Sequence, residues 1–334
     1  ASDHIAGEIA LIKTLDEKGY VYKTTDGLYS DTSLFKEYGK LGNIDIEALK
    51  EGARVGAHAE KRNPADFALW KFNENLGWDT PWGKGFPGWH IECSAMARSE
   101  LGEQIDIHTG GIEHIAVHHN NEIAQSEAAF GKKPLSNLWM HREHLQMNDR
   151  KIAKSDGNVV YLGEFEEKNI SPLSLRYWLL TSHYRTPSNF TWEALEAAST
   201  ALSRLRHAYQ SAAAKAGEER TNGVALQTFH QAMNDDVDTP KALATLWQMI
   251  GNDTLAPSEI AGTLEVADTI LGIHIKETAA AVVVTPEMQA VLNKRKDARD
   301  AKNWQLSDTL RDDMKKFGFT IKDTPDGAQM LEKI

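Results

Sequence analysis

Only one cysteine occurs among the 334 residues. That excludes an internal disulfide framework and fits a reducing compartment, where the thiol is free for metal binding or chemistry. Long apolar runs are missing as well: nothing approaches the roughly 20 residues of a membrane-spanning helix. The N-terminus also lacks the charged, then apolar, pattern of a signal segment. A cytoplasmic protein without membrane contact is therefore expected. Positive charge is in deficit, and the formal net charge of −11 argues against a protein that coats nucleic acid nonspecifically. It leaves room for a local basic face that holds a structured RNA. Internal repeats, low-complexity segments and exposed heptads are absent, so a monomer is expected. What remains has ordinary soluble composition and length enough for two or three domains.

The lone cysteine falls in the most informative stretch, Gly88 to Ser126. Cys93 follows Gly88 and Trp89, and His118 and Glu122 lie in a run that reads as the first turns of a helix. Positions four apart share a helix face, so an imidazole and a carboxylate converge there and Cys93 can complete a face of three ligands. A thiolate, an imidazole and a carboxylate are donors that zinc accepts. Each residue also has a plainer reading: Cys93 as a small buried hydrophobe, and His118 with His119 and Asn120 as a solvated helix start. Gly110-Gly111, just upstream, is expected to let the backbone turn sharply.

In chain order, Ile5, Ile9, Ile12 and Leu15 form one helical stripe, with Ser2 or Asp3 as cap and Gly19 as stop. Tyr20 to Lys23 and Leu28 to Ser30 flank Asp26-Gly27 as a hairpin. Residues 31 to 85 are polar, rich in Gly and Trp, and read as an irregular insertion. From Phe86, short apolar segments at Ile91 to Met96, Gln104 to His108 and Leu138 to His141 alternate with a helix from about His118 to Phe130. That pattern suggests a parallel sheet with helices on its faces. Ligands of such sheets sit beyond the carboxyl ends of the strands, where His108 to Gly111 fall.

A polar loop, NDRKIAKSDGN, then carries Lys151, Lys154 and Ser155. Two ammonium groups and a hydroxyl suit a polyphosphate; a solvated loop is the plainer reading. After Pro172 the chain is helical: Thr191 caps a helix with the stripe Leu195, Ala198, Leu202, Leu205 and Tyr209, and further helices complete a bundle. A Val-rich link leads to a terminal piece. Lys294, Arg295, Lys296, Arg299 and Lys302 crowd its first helix, Asn303 caps a second, and Phe319 to Lys322 forms a strand before a Pro325-Asp326-Gly327 turn. The basic helix reads either as phosphate contact along RNA or as a surface helix paired to Asp297, Asp300 and Asp308.

Several segments together resemble the bacterial cysteinyl-tRNA synthetases, which are class I aminoacyl-tRNA synthetases. They are KRNPADFALWK at 61 to 71, PGWHIECSAM at 87 to 96, GGIEHIAVHHNNEIAQS at 110 to 126, KIAKS where the family has KMSKS, LRYWLLTSHYR at 175 to 185, MNDDVDTPKAL at 233 to 243 and RKDARDAKNW at 295 to 304. The resemblance implies an α/β plus all-α architecture. An incomplete Rossmann-type catalytic domain would occupy residues 1–22 and 86–190, around an inserted subdomain at 23–85. A helical bundle would follow at 191–284, then a small C-terminal α+β anticodon-binding domain at 285–334.

It also implies that cysteine and ATP give cysteinyl-adenylate and pyrophosphate, and that the acyl group passes to tRNA(Cys). Cys93, His118 and Glu122 align with zinc ligands, and Trp89 falls beside the amino-acid pocket. His108, Gly110, Gly111, Glu113 and Lys154 contact the nucleotide, with Mg2+ accompanying it, and Lys151, Lys154 and Ser155 serve the ATP loop. The family's HIGH motif and a fourth, cysteine ligand would precede Ala1, so the chain is expected to be a fragment with little activity in isolation. Departures occur at Ile152, Ala153, Glu113, His114, Ala116, Val117 and Asn120. The rival readings are a noncatalytic tRNA-binding paralogue, a ligase placing cysteine on an amino sugar, and a zinc hydrolase with His119 as base.

Overall fold

The computed structural model describes residues 1–45, 59–152, 157–168, 170–277, 284–323 and 329–333. It divides into two units, Ala1–Tyr161 with Ser182–Trp192, and Leu162–Thr181 with Glu193–Ile334.

In the first unit, helix α1 (Ile5–Glu17) buries Ile5, Leu11, Ile12 and Leu15, and Ile9 packs partly buried on the same core. Neither Ser2 nor Asp3 caps it: both belong to a 3-10 turn, Ser2–His4, that leads straight into the α-helix without a side-chain cap. Gly19 ends this element at φ +81°, a left-handed conformation that favours glycine. Strands β1 (Val21–Lys23) and β2 (Gly27–Ser30) form the expected hairpin, with Tyr22 opposite Tyr29.

Residues 31–85, which read from the sequence as an irregular insertion, are more regular than their composition suggests. There β3 (Phe67–Phe72) pairs with β2, and β4 (Gly85–Pro87) pairs with β3, giving an antiparallel sheet of order β1-β2-β3-β4. Phe67, Leu69 and Trp70 are all buried, so β3 lacks the clean apolar–polar alternation by which a half-buried strand is recognised. Residues 46–58 lie outside the described residues.

Ile91 to Met96 is not strand-like. It lies within α2 (Trp89–Leu101), which Gly88 opens in extended conformation, and Ile91, Ser94 and Ala95 face inward at i, i+3 and i+4. A short apolar run cannot separate strand from helix by itself. Next, β5 (Ile105–Gly111), α3 (His118–Phe130) and β6 (Ser136–Arg142) form a parallel β-α-β unit. Every residue of α3 from His118 to Ala129 is buried, charged and polar ones included.

The polar loop begins as structure too. Strand β7 (Leu145–Met147) turns through Asn148 and Asp149, both at positive φ, into β8 (Arg150–Lys151), and β7 also pairs in parallel with β9 (Ser188–Phe190). Consecutive positive-φ residues are the signature of a tight hairpin turn. The chain thus has parallel pairings in two small sheets, as a Rossmann-type domain requires.

The second unit is mainly helical, with α4 (Leu162–Glu167), α5 (Pro172–Leu180), α6 (Trp192–Ala216), α7 (Val224–Asn234), α8 (Thr239–Ile250) and α9 (Pro257–Leu271). The stripe from Leu195 to Tyr209 is buried, and Ser171, Asp238 and their following prolines set the starts of α5 and α8. Helices α10 (Pro286–Asp300) and α11 (Trp304–Met314) precede the antiparallel pair β10 (Phe319–Asp323) and β11 (Gln329–Lys333). Met288, Leu292, Met314 and Ile321 form their separate core. Most of the Val-rich link and the Pro325-Asp326-Gly327 turn lie outside the described residues.

Candidate active site

The site is assembled by α2, the carboxyl end of β5 and the first turns of α3. Cys93 enters from α2, and His118 and Glu122 come from successive turns of α3. Their donor atoms all lie within 4.8 Å of one another. His118 Nε2 is 2.9 Å from Glu122 Oε1. Both Glu122 oxygens are buried, yet neither has a hydrogen-bond partner of acceptable geometry. A buried carboxylate left without donors is costly unless something positive meets it, so the donors fit a cation in both chemistry and placement.

Electrostatics point the same way. Burial raises the Glu122 carboxyl, but the His108 and His118 imidazoles outweigh that effect and hold it at about 2. Burial, with Glu122 and Glu92 nearby, pushes the Cys93 thiol up to about 11. Such a thiol stays protonated near neutrality unless a cation takes the proton's place.

A second donor set shares the same carboxylate. His108, His119 and Glu122 also lie within 4.8 Å of one another. The two α3 histidines are each braced from behind: His118 Nδ1 is 2.8 Å from His90 Nδ1, and His119 Nδ1 is 2.8 Å from His141 Nε2. Burial drives both His90 and His119 down to about 3, so these rings are neutral. A ring that binds a proton so weakly is a poor general base, although it is in the unprotonated form a base needs, and this counts against a hydrolase.

Trp89 stands at the start of α2 with 54% of its surface exposed, and its ring lies 4.3 Å from that of His118 and 5.7 Å from that of His114. It therefore forms an apolar wall beside the three donors. Gly110 and Gly111 act through space rather than through backbone freedom, because neither adopts positive φ. A Cβ on Gly110 would meet His119 Cε1 at 2.6 Å and His114 Nδ1 at 2.8 Å; one on Gly111 would collide with the Glu113 carboxylate. Glu113 lies 4.0 Å from His114 and 3.9 Å from His144. Lys151 belongs to β8, whereas Lys154 and Ser155 lie outside the described residues.

His90, His141 and Trp139 were not singled out from the sequence. His141 is opposite Gly110 only through the parallel pairing of β5 and β6, and nothing local in the chain announces that register.

Residues 1–200 match the family described as tRNA synthetases class I (C) catalytic domain, and residues 283–330 match the cysteinyl-tRNA ligase anticodon binding domain. Cysteine–tRNA ligase 1 of Burkholderia lata is 44% identical over 99% of this chain and 71% of its own length. The chain belongs to the cysteine–tRNA ligase family. The cysteine–tRNA ligases of Treponema denticola, 39% identical over 97% of this chain and 73% of its own length, and of Legionella pneumophila, 41% identical over 98% of this chain and 74% of its own length, agree. Among solved structures, a Mycobacterium tuberculosis methionyl-tRNA synthetase in complex with methionyl-adenylate superposes with a TM-score of 0.53 at 15% identity, over 82% of this chain and 71% of that one. That likeness concerns the fold alone.

In the segment matching the family's anticodon-binding domain, the basic helix is only partly a surface. Arg295 is 1% exposed in its side chain and pairs with Asp323 at 2.8 Å and with Gln329. Arg299 also meets Asp323, and Asp308 pairs with Arg311 instead of with α10. Lys294, Lys296, Lys302 and Trp304, the last 59% exposed, face solvent. Among the described residues no helix is long and apolar enough to cross a membrane.

Proposed function

We propose that the function this chain serves is ATP-dependent activation of cysteine and its transfer to tRNA(Cys), in a cytoplasmic monomer. The observation that carries the reading is the convergence of Cys93, His118 and Glu122 beside Trp89. Those three side chains would hold zinc, which supplies a borderline-soft Lewis acid that takes a thiolate in preference to an alcohol. Trp89 then closes the pocket around a side chain no longer than one methylene and its sulfur.

The remaining residues act on charge and position. The cysteine carboxylate attacks the α-phosphorus of ATP, the bond to the bridging oxygen breaks, and pyrophosphate leaves with its electron pair. Lys151, Lys154 and Ser155, with Mg2+, offset the charge that gathers on it. Glu113 stands at the carboxyl end of β5, where the nucleotide of a parallel sheet is bound. A terminal hydroxyl of the tRNA next attacks the activated carbonyl and AMP departs. The exposed Trp304 and the lysines around it suit stacking on unpaired bases and contact with phosphates.

Cysteine-dependent ATP–pyrophosphate exchange by the native-length protein tests this reading. The expected result is exchange with cysteine and a loss on the order of 10^4-fold with serine. Absence of exchange with both, in protein that still binds tRNA, would transfer support to the noncatalytic paralogue.

A further inference from the structure

Glu122 is the side chain on which both donor sets depend. Its Oε1 faces His118 Nε2 at 2.9 Å and its Oε2 faces His108 Nε2 at 3.4 Å. Two arrangements are open to such a carboxylate: it could bridge two cations, or it could bind one and accept a hydrogen bond on the other oxygen. Charge decides between them. The Cys93 side offers a thiolate as well as a share of Glu122, while the His108 side offers only imidazoles, which bring no negative charge. A second dication there would sit, buried, against part of one carboxylate, and desolvating an ion so poorly compensated is strongly unfavourable.

Ligation also changes which imidazole can serve Glu122. Once His118 Nε2 is a ligand it has no proton to give, and its Nδ1 is already engaged with His90. Of the two rings that approach the carboxylate to 3.4 Å or less, His108 and His118, only His108 then retains an N–H for it, and His119 is farther off with its Nδ1 engaged by His141. His108 is well placed to hold that orientation: β5 carries it, its ring lies 4.7 Å from that of Trp139, and it meets His119 edge-on at 4.8 Å.

We infer that His108 is a positioning residue for the metal carboxylate: the 3.4 Å approach of its Nε2 to Glu122 Oε2 would tighten into a hydrogen bond once the metal is bound, leaving Oε1 for the metal and a coordination position for the substrate sulfur. This rests on the metal reading of Cys93, His118 and Glu122, and it assigns His108 to the metal side of the site instead of to the nucleotide.

Metal content, zinc retention against a chelator and the absorption spectrum of the cobalt-substituted protein provide the test. They are measured on the wild type, on His108→Leu and His108→Phe, which remove the donor, and on His108→Gln, whose amide keeps an N–H near the Nε2 position. One ion per chain is expected in each. The donor-free variants should hold zinc about 10- to 100-fold more weakly and shift the cobalt ligand-field bands, and Gln should restore most of both. Unchanged affinity and spectrum in a folded donor-free variant would overturn the inference. Two ions in the wild type, falling to one without His108, would also overturn it, by making His108 a ligand. A wild type that binds no stoichiometric metal would instead bring down the underlying metal reading.

Discussion

Glu8 illustrates how much a single residue in this molecule depends on its surroundings. It lies in α1, fully buried, and neither carboxyl oxygen has a hydrogen-bond partner. Burial, reinforced by the charge of Glu92, raises its carboxyl to about 7 from an ordinary 4.5. Because the folded state holds this proton more tightly than the unfolded one, the associated stability is fully present below about pH 4.5. It is lost as pH rises through about 7. Glu8→Gln should therefore leave stability nearly unchanged at pH 4.5 and raise it by about 1–3 kcal/mol at pH 8, the range for relieving a buried unsatisfied charge. Urea unfolding at the two pH values checks this, and equal effects at both would contradict it. Glu122 has the opposite sense: a carboxyl held at about 2 contributes stability above pH 4.5 that disappears as pH falls toward 2.

At the scale of elements, the same residue type does different work according to what packs against it. Arg295 and Lys294 are neighbours on α10, yet Arg295 turns inward to Asp323 of β10 with two hydrogen bonds of 2.8 and 2.9 Å, while Lys294 faces water. A planar guanidinium suits such a two-pronged contact with a carboxylate. Asp323→Asn should destabilise the C-terminal piece by about 2 kcal/mol, less than for a fully enclosed pair because Asp323 is partly exposed. Thermal unfolding of the C-terminal segment within the whole chain should show the loss while zinc content stays the same. The β-α-β unit makes a related point. Its helix spaces His118 and Glu122 one turn apart, and its strand pairing sets His141 against Gly110. The glycine leaves the space that the His119 ring occupies.

At the scale of the whole molecule, amino-acid activation and tRNA recognition belong to different segments, residues 1–200 and 283–330 in the family's terms. Trp304→Ala in the second should raise the KM for tRNA about tenfold, the loss of one base-stacking contact, and leave cysteine-dependent pyrophosphate exchange unaltered; a fall in exchange would refute that division. Much of this arrangement is legible in the chain itself. Helical periodicity gives α1, α3 and α6, and spacing by four residues pairs His118 with Glu122. The Asp26-Gly27 and Gly19 positions mark turns, because all of these depend on neighbours within a few residues. The sequence misleads where local pattern is ambiguous: Ile91 to Met96 is short enough to read as strand, and β3 buries adjacent residues without alternation. Tertiary structure alone decided the rest. His108 and His119 meet at Glu122, His141 backs His119, and Arg295 finds Asp323, because strand pairing and helix packing bring together residues well separated in the chain. A one-dimensional period carries no information about those distances. They are set by which faces must be buried together and by which charges must then be matched inside.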